Sequence, residues 1–151
     1  MGTATVERAT GEVAFRSSAE LREVLDRLLA SVETDERLGP LLRAAHVRTR
    51  VEFSDLDLAL NVASADDSEH FVVWTFSKRA PWKPKVTLRM GSCVANRWLQ
   101  GRESLAIAIA RGQVRCTGET RSTLIFLPAA RLLSEPYRRL IESEYRHLRL
   151  A

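Results

Sequence analysis

The sequence predicts an α+β domain in which a sheet of about five mostly antiparallel strands carries helices on one face. Three observations lead to this class. An apolar stripe of helical period occupies residues 17–32, and an alternation of period two follows over residues 47–62. The stretch Val86–Leu133 is then cut into strand-length and helix-length apolar segments by Gly101, Gly112 and Gly118. At 151 residues the chain has single-domain length. A chain of that size buries about 70% of the surface it exposes when unfolded, enough for a core and a cavity without cross-links.

Residues 1–14 show no apolar periodicity and are expected to form a flexible N-terminal tail. Ser17 and Glu20 make a capping-box pair. Behind them Leu21, Val24, Leu25, Leu28, Leu29 and Val32 recur at i, i+3, i+4, i+7, i+8 and i+11, one face of a helix that belongs in the core. Thr34 is expected to cap a shorter helix bearing Leu38, Leu41, Leu42 and Ala45. From Val47 the period changes. Val47, Thr49, Val51 and Phe53 alternate with Arg48, Arg50 and Glu52. After a turn at Ser54-Asp55, Leu56, Leu58, Leu60 and Val62 alternate with Asp57, Ala59 and Asn61, giving a hairpin with one buried face. A turn at residues 65–68 precedes Phe71–Phe76, an unbroken β-branched and aromatic run expected to be covered on both faces. Pro81 and Pro84, flanking Trp82, keep residues 78–85 out of the ladder, and Val86, Leu88 and Met90 make a fourth strand.

Ser92 is placed to cap a helix carrying Val94, Ala95, Trp98 and Leu99, with Gly101 just past its end. Residues 105–110 alternate large and small as a strand would, but their alanine content and the spacing between glycines favour a helix. Gln113–Gly118 reads as a fifth strand and Leu124–Leu133 as an apolar helix, with Pro128 either kinking it or marking its start. A last helix begins at Ser134 and Pro136. It aligns Tyr137, Leu140, Ile141, Tyr145 and Leu148 on one stripe and Arg138, Arg139, Arg146 and Arg149 on the other side.

The order and spacing of these pieces resemble the sterol carrier protein 2 (SCP2) lipid-binding family. The matching residues are Val86-Thr87-Leu88-Arg89-Met90, Ser92, Leu99-Gln100-Gly101, Ala106–Ala110, Gly112-Gln113-Val114-Arg115-Cys116, Gly118-Glu119 and Leu124–Leu133. The chain departs from the family pattern at Glu119, where Asp is common, at the start of the helix after Ser92, which lacks an acidic residue, and at Pro128. The resemblance implies a lipid-binding domain over residues 15–134, with residues 135–151 as an amphipathic helix packed on it or capping it. It further implies an apolar tunnel for a sterol, fatty acid or acyl-CoA, without cofactor or catalytic group, in a protein that transfers or presents its ligand. The lining residues it suggests are Trp74, Phe76, Met90, Trp98, Leu99, Ile107, Ile109, Leu124, Phe126 and Leu132.

Charge and motifs bound the alternatives. Residues 1–110 hold 15 Lys and Arg against 15 Asp and Glu, whereas residues 111–151 hold 8 against 4, so the net +4 lies in the last segment. Arg138, Arg139, Arg146 and Arg149 are therefore candidates for contact with an anionic membrane surface, and a lipid-metabolising enzyme is a second candidate partner. The sequence pI of about 9.6 raises nucleic-acid binding, but no arginine-aromatic motif accompanies it, so nucleic acid is not an expected partner. No Gly-x-Ser-x-Gly elbow, phosphate loop, dinucleotide fingerprint or histidine pair at metal-ligand spacing is present, so an enzyme is not expected. An enzyme or accessory protein on the same fold, acting on a lipid-like or polyketide-like substrate, is the alternative. Cys93 and Cys116 without a secretory signal read as reduced thiols, and no apolar run is long enough to span a bilayer, which together give a cytoplasmic expectation.

Overall fold

The N-terminal apolar stripe forms α1 (Ser18–Glu33), the first element of a computed structural model that describes residues 15–79 and 81–150. The expected tail, residues 1–14, lies outside the described residues. Ser17 caps α1 by accepting from the Glu20 amide at 3.1 Å, and the Glu20 carboxylate reaches back to the Arg16 amide at 2.9 Å. All six stripe residues are buried. Helix α2 (Leu38–Ala44) starts on Asp35 rather than Thr34: the Asp35 carboxylate accepts from the amides of Arg37 and Leu38 at 2.8 and 2.9 Å, while Thr34 closes α1. Gly39 inside α2 is a packing requirement, because a Cβ there would stand 2.1 Å from Cδ2 of Phe71.

The strands are β1 (Arg48–Phe53), β2 (Leu58–Ser64), β3 (Val72–Phe76), β4 (Val86–Met90) and β5 (Arg115–Gly118), in the order β3-β2-β1-β4-β5. Pairs β1/β2, β2/β3 and β4/β5 are antiparallel, and the central pair β1/β4 is parallel. A parallel pair needs a crossover. The connection from β3 to β4 passes over the face away from the helices, where the Ser77 carbonyl accepts from Arg50 Nη1 at 3.1 Å and Asn61 Nδ2 at 3.0 Å.

This crossover changes two expectations. Strand β2 is covered on both faces, with Ala59, Asn61 and Ala63 all buried on the side predicted to face solvent. Strand β3, expected to be covered on both, is an edge strand whose residues are mostly half-exposed. The hairpin turn is also longer than expected, since Phe53 pairs with Leu58 and Leu56 falls in the turn.

Helices α3 (Ser92–Leu99), α4 (Leu105–Ala110), α5 (Thr120–Arg131) and α6 (Ser134–Glu144), with a 3-10 turn over Arg146–Leu148, complete the described residues. Ser92 is not the cap of α3 but its first residue. The cap is supplied by Asp55 from the β1–β2 turn, which accepts from the Ser92 amide at 2.9 Å and its hydroxyl at 2.6 Å. Residues 105–110 are helical, with the Ser104 hydroxyl accepting from the Ile107 amide at 3.0 Å. Helix α5 begins at Thr120 and runs through Pro128. Its first turn is fixed by Glu119, whose carbonyl accepts from the Thr123 amide and whose carboxylate accepts from the Ser122 hydroxyl, both at 2.9 Å. Pro128 is tolerated because the carbonyl it leaves without a partner belongs to Leu124, on the solvent face of the helix.

Helix α6 lies against α1 and α3. Its buried Tyr137 donates to Asn96 Oδ1 at 2.7 Å, and Asn96 Nδ2 donates in turn to the Leu148 carbonyl at 3.0 Å. Burial, helped by the Glu20 carboxylate, pushes the Tyr137 phenol above its ordinary range and keeps it a neutral donor. Polar ties to α1 run from His147 to Glu20 at 2.9 Å, from Tyr145 to Glu23 and from Arg27 to Glu144. Cys93 is buried, Cys116 is half-buried, and no disulfide joins them. Among the described residues no helix is long and apolar enough to cross a membrane.

Candidate ligand-binding cavity

The two apolar periodicities of the sequence meet at one place. The α1 stripe supplies Leu25, Leu28 and Leu29, and the inward positions of β1 and β2 supply Val51, Phe53, Leu60 and Val62. Between them lies a cavity of about 70 Å³ whose exposed wall is wholly apolar. Met90 closes it from β4, Trp98 and Leu99 from α3, and Phe126, Ala129 and Ala130 from α5. The α5 residues fall at i, i+3 and i+4, so one helix face forms the roof. Trp98 is held by its indole N–H, which donates to Met90 Sδ at 3.3 Å.

Two hydroxyls border this space, and they differ. Ser64 Oγ donates to the Leu42 carbonyl and accepts from the Val47 amide, both at 2.7 Å, so its capacity is used in the fold. Thr49 is only 2% exposed and its Oγ1 has no hydrogen-bond partner. A buried hydroxyl left unpaired costs roughly 1–3 kcal/mol.

Of the ten residues expected to line a tunnel, Met90, Trp98, Leu99 and Phe126 border this cavity. The other six lie elsewhere. Trp74 sits on the edge strand with its indole N–H donating to Asp26 on α1 at 2.9 Å, and Phe76 lies under the Arg22 guanidinium, 5.0 Å from the ring centre. Ile107 and Leu124 are 47% and 66% exposed. Ile109 and Leu132 are partly buried against the core away from the cavity. The walls missing from that set come from α1, β1 and β2. Their signal was the facing of a helical stripe and an alternating hairpin, which marks the layer a cavity would occupy.

The four arginines expected on one last helix are divided, since α6 ends at Glu144 and leaves Arg146 in the 3-10 turn and Arg149 beyond it, and they do not form a free cluster. Arg138 Nη1 donates to the Gln100 carbonyl at 3.4 Å and Arg146 Nε to the Glu142 carbonyl at 3.1 Å. Arg139 pairs with Glu135 at 3.7 Å, and Arg149 pairs with Glu142 at 3.0 Å. None of the four borders the cavity. On the opposite face of the sheet, Arg50 and then Arg89 hold the Glu52 carboxyl below the ordinary carboxylate range, which marks a closed ion-pair network rather than a reactive acid. Among the described residues no group of three His, Cys, Asp or Glu side chains is gathered as a metal site requires.

No protein-family model matches the sequence, and no curated protein matches it significantly. Solved structures do match in shape. The chain is similar to UbiJ-SCP2, a ubiquinone synthesis protein, with a TM-score of 0.53 and 18% identity over 78% of this chain and 91% of that one. Sterol carrier protein 2 from Yarrowia lipolytica, in its apo form, gives 0.54 at 8% identity over 81% and 97%. The sterol carrier protein domain 2 of Helicoverpa armigera gives 0.53 at 14% identity over 75% and 87%. The five-stranded mixed sheet, its helical layer and these near-complete overlaps give the chain the SCP2-like fold.

Proposed function

We propose that the protein binds a hydrophobic small molecule of the sterol, fatty-acid or acyl class in this cavity, and transfers it or presents it to a lipid-metabolising enzyme. The observation that carries the reading is a space with a wholly apolar exposed wall set between a sheet and a helical layer. The structures it resembles include two named as sterol carriers and one as a ubiquinone synthesis protein, and sterols and quinones are both poorly soluble in water. Binding of this kind gains roughly 25 cal/mol for each Å² of apolar surface removed from water and needs no acid, base or nucleophile.

The cavity is far smaller than the roughly 300–1,000 Å³ of typical ligand sites. A ligand must therefore displace part of the wall, to which α5 contributes Phe126, Ala129 and Ala130. Delipidated protein is expected to bind fluorescent fatty-acyl or sterol probes at micromolar concentration, and protein analysed fresh by native mass spectrometry is expected to retain a ligand. Ala129→Leu, which adds bulk to the roof, is expected to weaken probe binding about tenfold while leaving the melting temperature unchanged or raised. Absence of probe binding to the unaltered protein defeats the reading.

Ligand exchange is proposed to occur at an anionic membrane surface, with Arg138, Arg139, Arg146 and Arg149 as exposed contacts. The pairing of Arg139 with Glu135 and of Arg149 with Glu142 limits the attraction to a weak, salt-screened one. Co-sedimentation with vesicles should rise with anionic lipid content and fall with salt; indifference to both removes the membrane step.

A further inference from the structure

The cavity shares three of its wall residues, Val47, Thr49 and Phe126, with an open cleft of about 320 Å³ at the end of the sheet. That cleft carries the charged and polar side chains of His46, Arg48, Lys85, Glu119, Arg121 and Ser122 beside the apolar Ala44, Ala45, Val86 and Ile125. Arg48 is paired with Asp66 at 3.9 Å, and the Glu119 carboxylate accepts from Ser122 at 2.9 Å. Lys85 and Arg121 are exposed and have no carboxylate partner among the described residues. Phe126 is the one large side chain common to cleft and cavity, and the Thr49 hydroxyl in the same shared wall has no partner.

We propose that this cleft is the head-group end of the ligand site: it takes the oxyanion of a single-chain amphiphile on Lys85 and Arg121, while the chain passes Phe126 into the cavity. The inference rests on the proposal that the cavity binds apolar ligands. An ionised head cannot follow the chain inward, because the cavity offers no cation and burying an unpaired charge is prohibitive. It must stay at a mouth lined by cations. A second cleft also adjoins the cavity, through Trp98 and Ala130, and carries Arg131 and Arg138. There the shared indole already donates to Met90, and Arg138 already donates to Gln100, so no buried donor is left over. At the first cleft the orphan Thr49 Oγ1 stands in the shared wall, where a ligand oxygen completes it. A flexible chain can thread past one swinging ring, whereas a rigid ring system must lift much of α5.

Titration of the full, delipidated chain with hexadecanoic acid, hexadecyl phosphate and hexadecanol tests this. The acid and the phosphate are expected to bind more tightly than the alcohol. Lys85→Glu with Arg121→Glu should weaken the two anions about tenfold and leave the alcohol unchanged, as should the milder alanine pair in direction. Arg131→Glu, in the other cleft, should change none of them. Thr49→Val should weaken the acid several-fold while the melting temperature holds or rises, because the unpaired hydroxyl is gone. Equal loss with Arg131→Glu, indifference of the anions to the Lys85 and Arg121 changes, or unchanged acid affinity in Thr49→Val overturns the assignment while the cavity reading stands. If no chain of any head group binds, both fall together. If the phosphate alone or the acid alone responds, the cleft is assigned to that head group.

Discussion

Gly118→Ala is expected to destabilise the fold by about 4 kcal/mol or more, lowering the melting temperature by roughly 10 °C in thermal unfolding followed by circular dichroism. Gly118 sits at φ +134, and a Cβ there would lie 2.1 Å from the Lys85 carbonyl oxygen. Neither problem can relax. That carbonyl is fixed by the Glu119 amide, which donates to it at 3.0 Å, and Gly118 is the ladder partner of Val86 at the centre-side edge of β5. Gly112→Ala is the matched control. Its φ is +77, but nothing stands within 4 Å of the added Cβ, so only the left-handed backbone is penalised, at about 1 kcal/mol. Equal losses in the two variants would mean that conformation alone, and not contact with Lys85, fixes Gly118. The clash also bears on the site, because Lys85 and Glu119 both border the head-group cleft.

Asn96→Leu should cost about 3–5 kcal/mol, measured by urea denaturation with the slope unchanged. Asn96 is fully buried and joins three elements: it accepts from Tyr137 and from Gln100 Nε2, each at 2.7 Å, and donates to the Leu148 carbonyl. Leucine fills the space but strands the Tyr137 hydroxyl in a dry environment. Tyr137→Phe should cost only about 1 kcal/mol, since Asn96 Oδ1 keeps the Gln100 donor. A loss in Tyr137→Phe as large as in Asn96→Leu would show that the phenol, not the amide, organises the network.

The architecture was largely legible because its signals are local. The α1 stripe, the alternation in residues 48–53 and 58–62 and the glycine-closed segments after Val86 each declare a period, and the structure places an element at each. Boundaries failed where the group that fixes a helix start lies outside the apolar pattern, whether distant or adjacent. Asp55, 37 positions before Ser92, starts α3, and Glu119 starts α5 four residues earlier than the apolar run suggested. The cavity was less legible, because a wall is defined by register and tilt. Trp74 and Phe76 have the composition of lining residues, but the crossover made β3 an edge. Ile107 and Leu124 are apolar yet point outward, since a short helix can present either side. Thr49 gave no signal at all: a threonine alternating in a strand becomes informative only when its hydroxyl is found without a partner.

The contacts between the first and last helices set the order in which this chain can be completed. Glu23 and Glu20 of α1 meet Tyr145 and His147, 122 and 127 positions later. Contacts of that separation close large loops, so α1 can pack its stripe on the nearby hairpin before α6 covers the rest of it. Docking of α6 is thus a late event in folding. Residues of α6 do not border the cavity, so its walls from α1, the sheet, α3 and α5 can form before that helix docks.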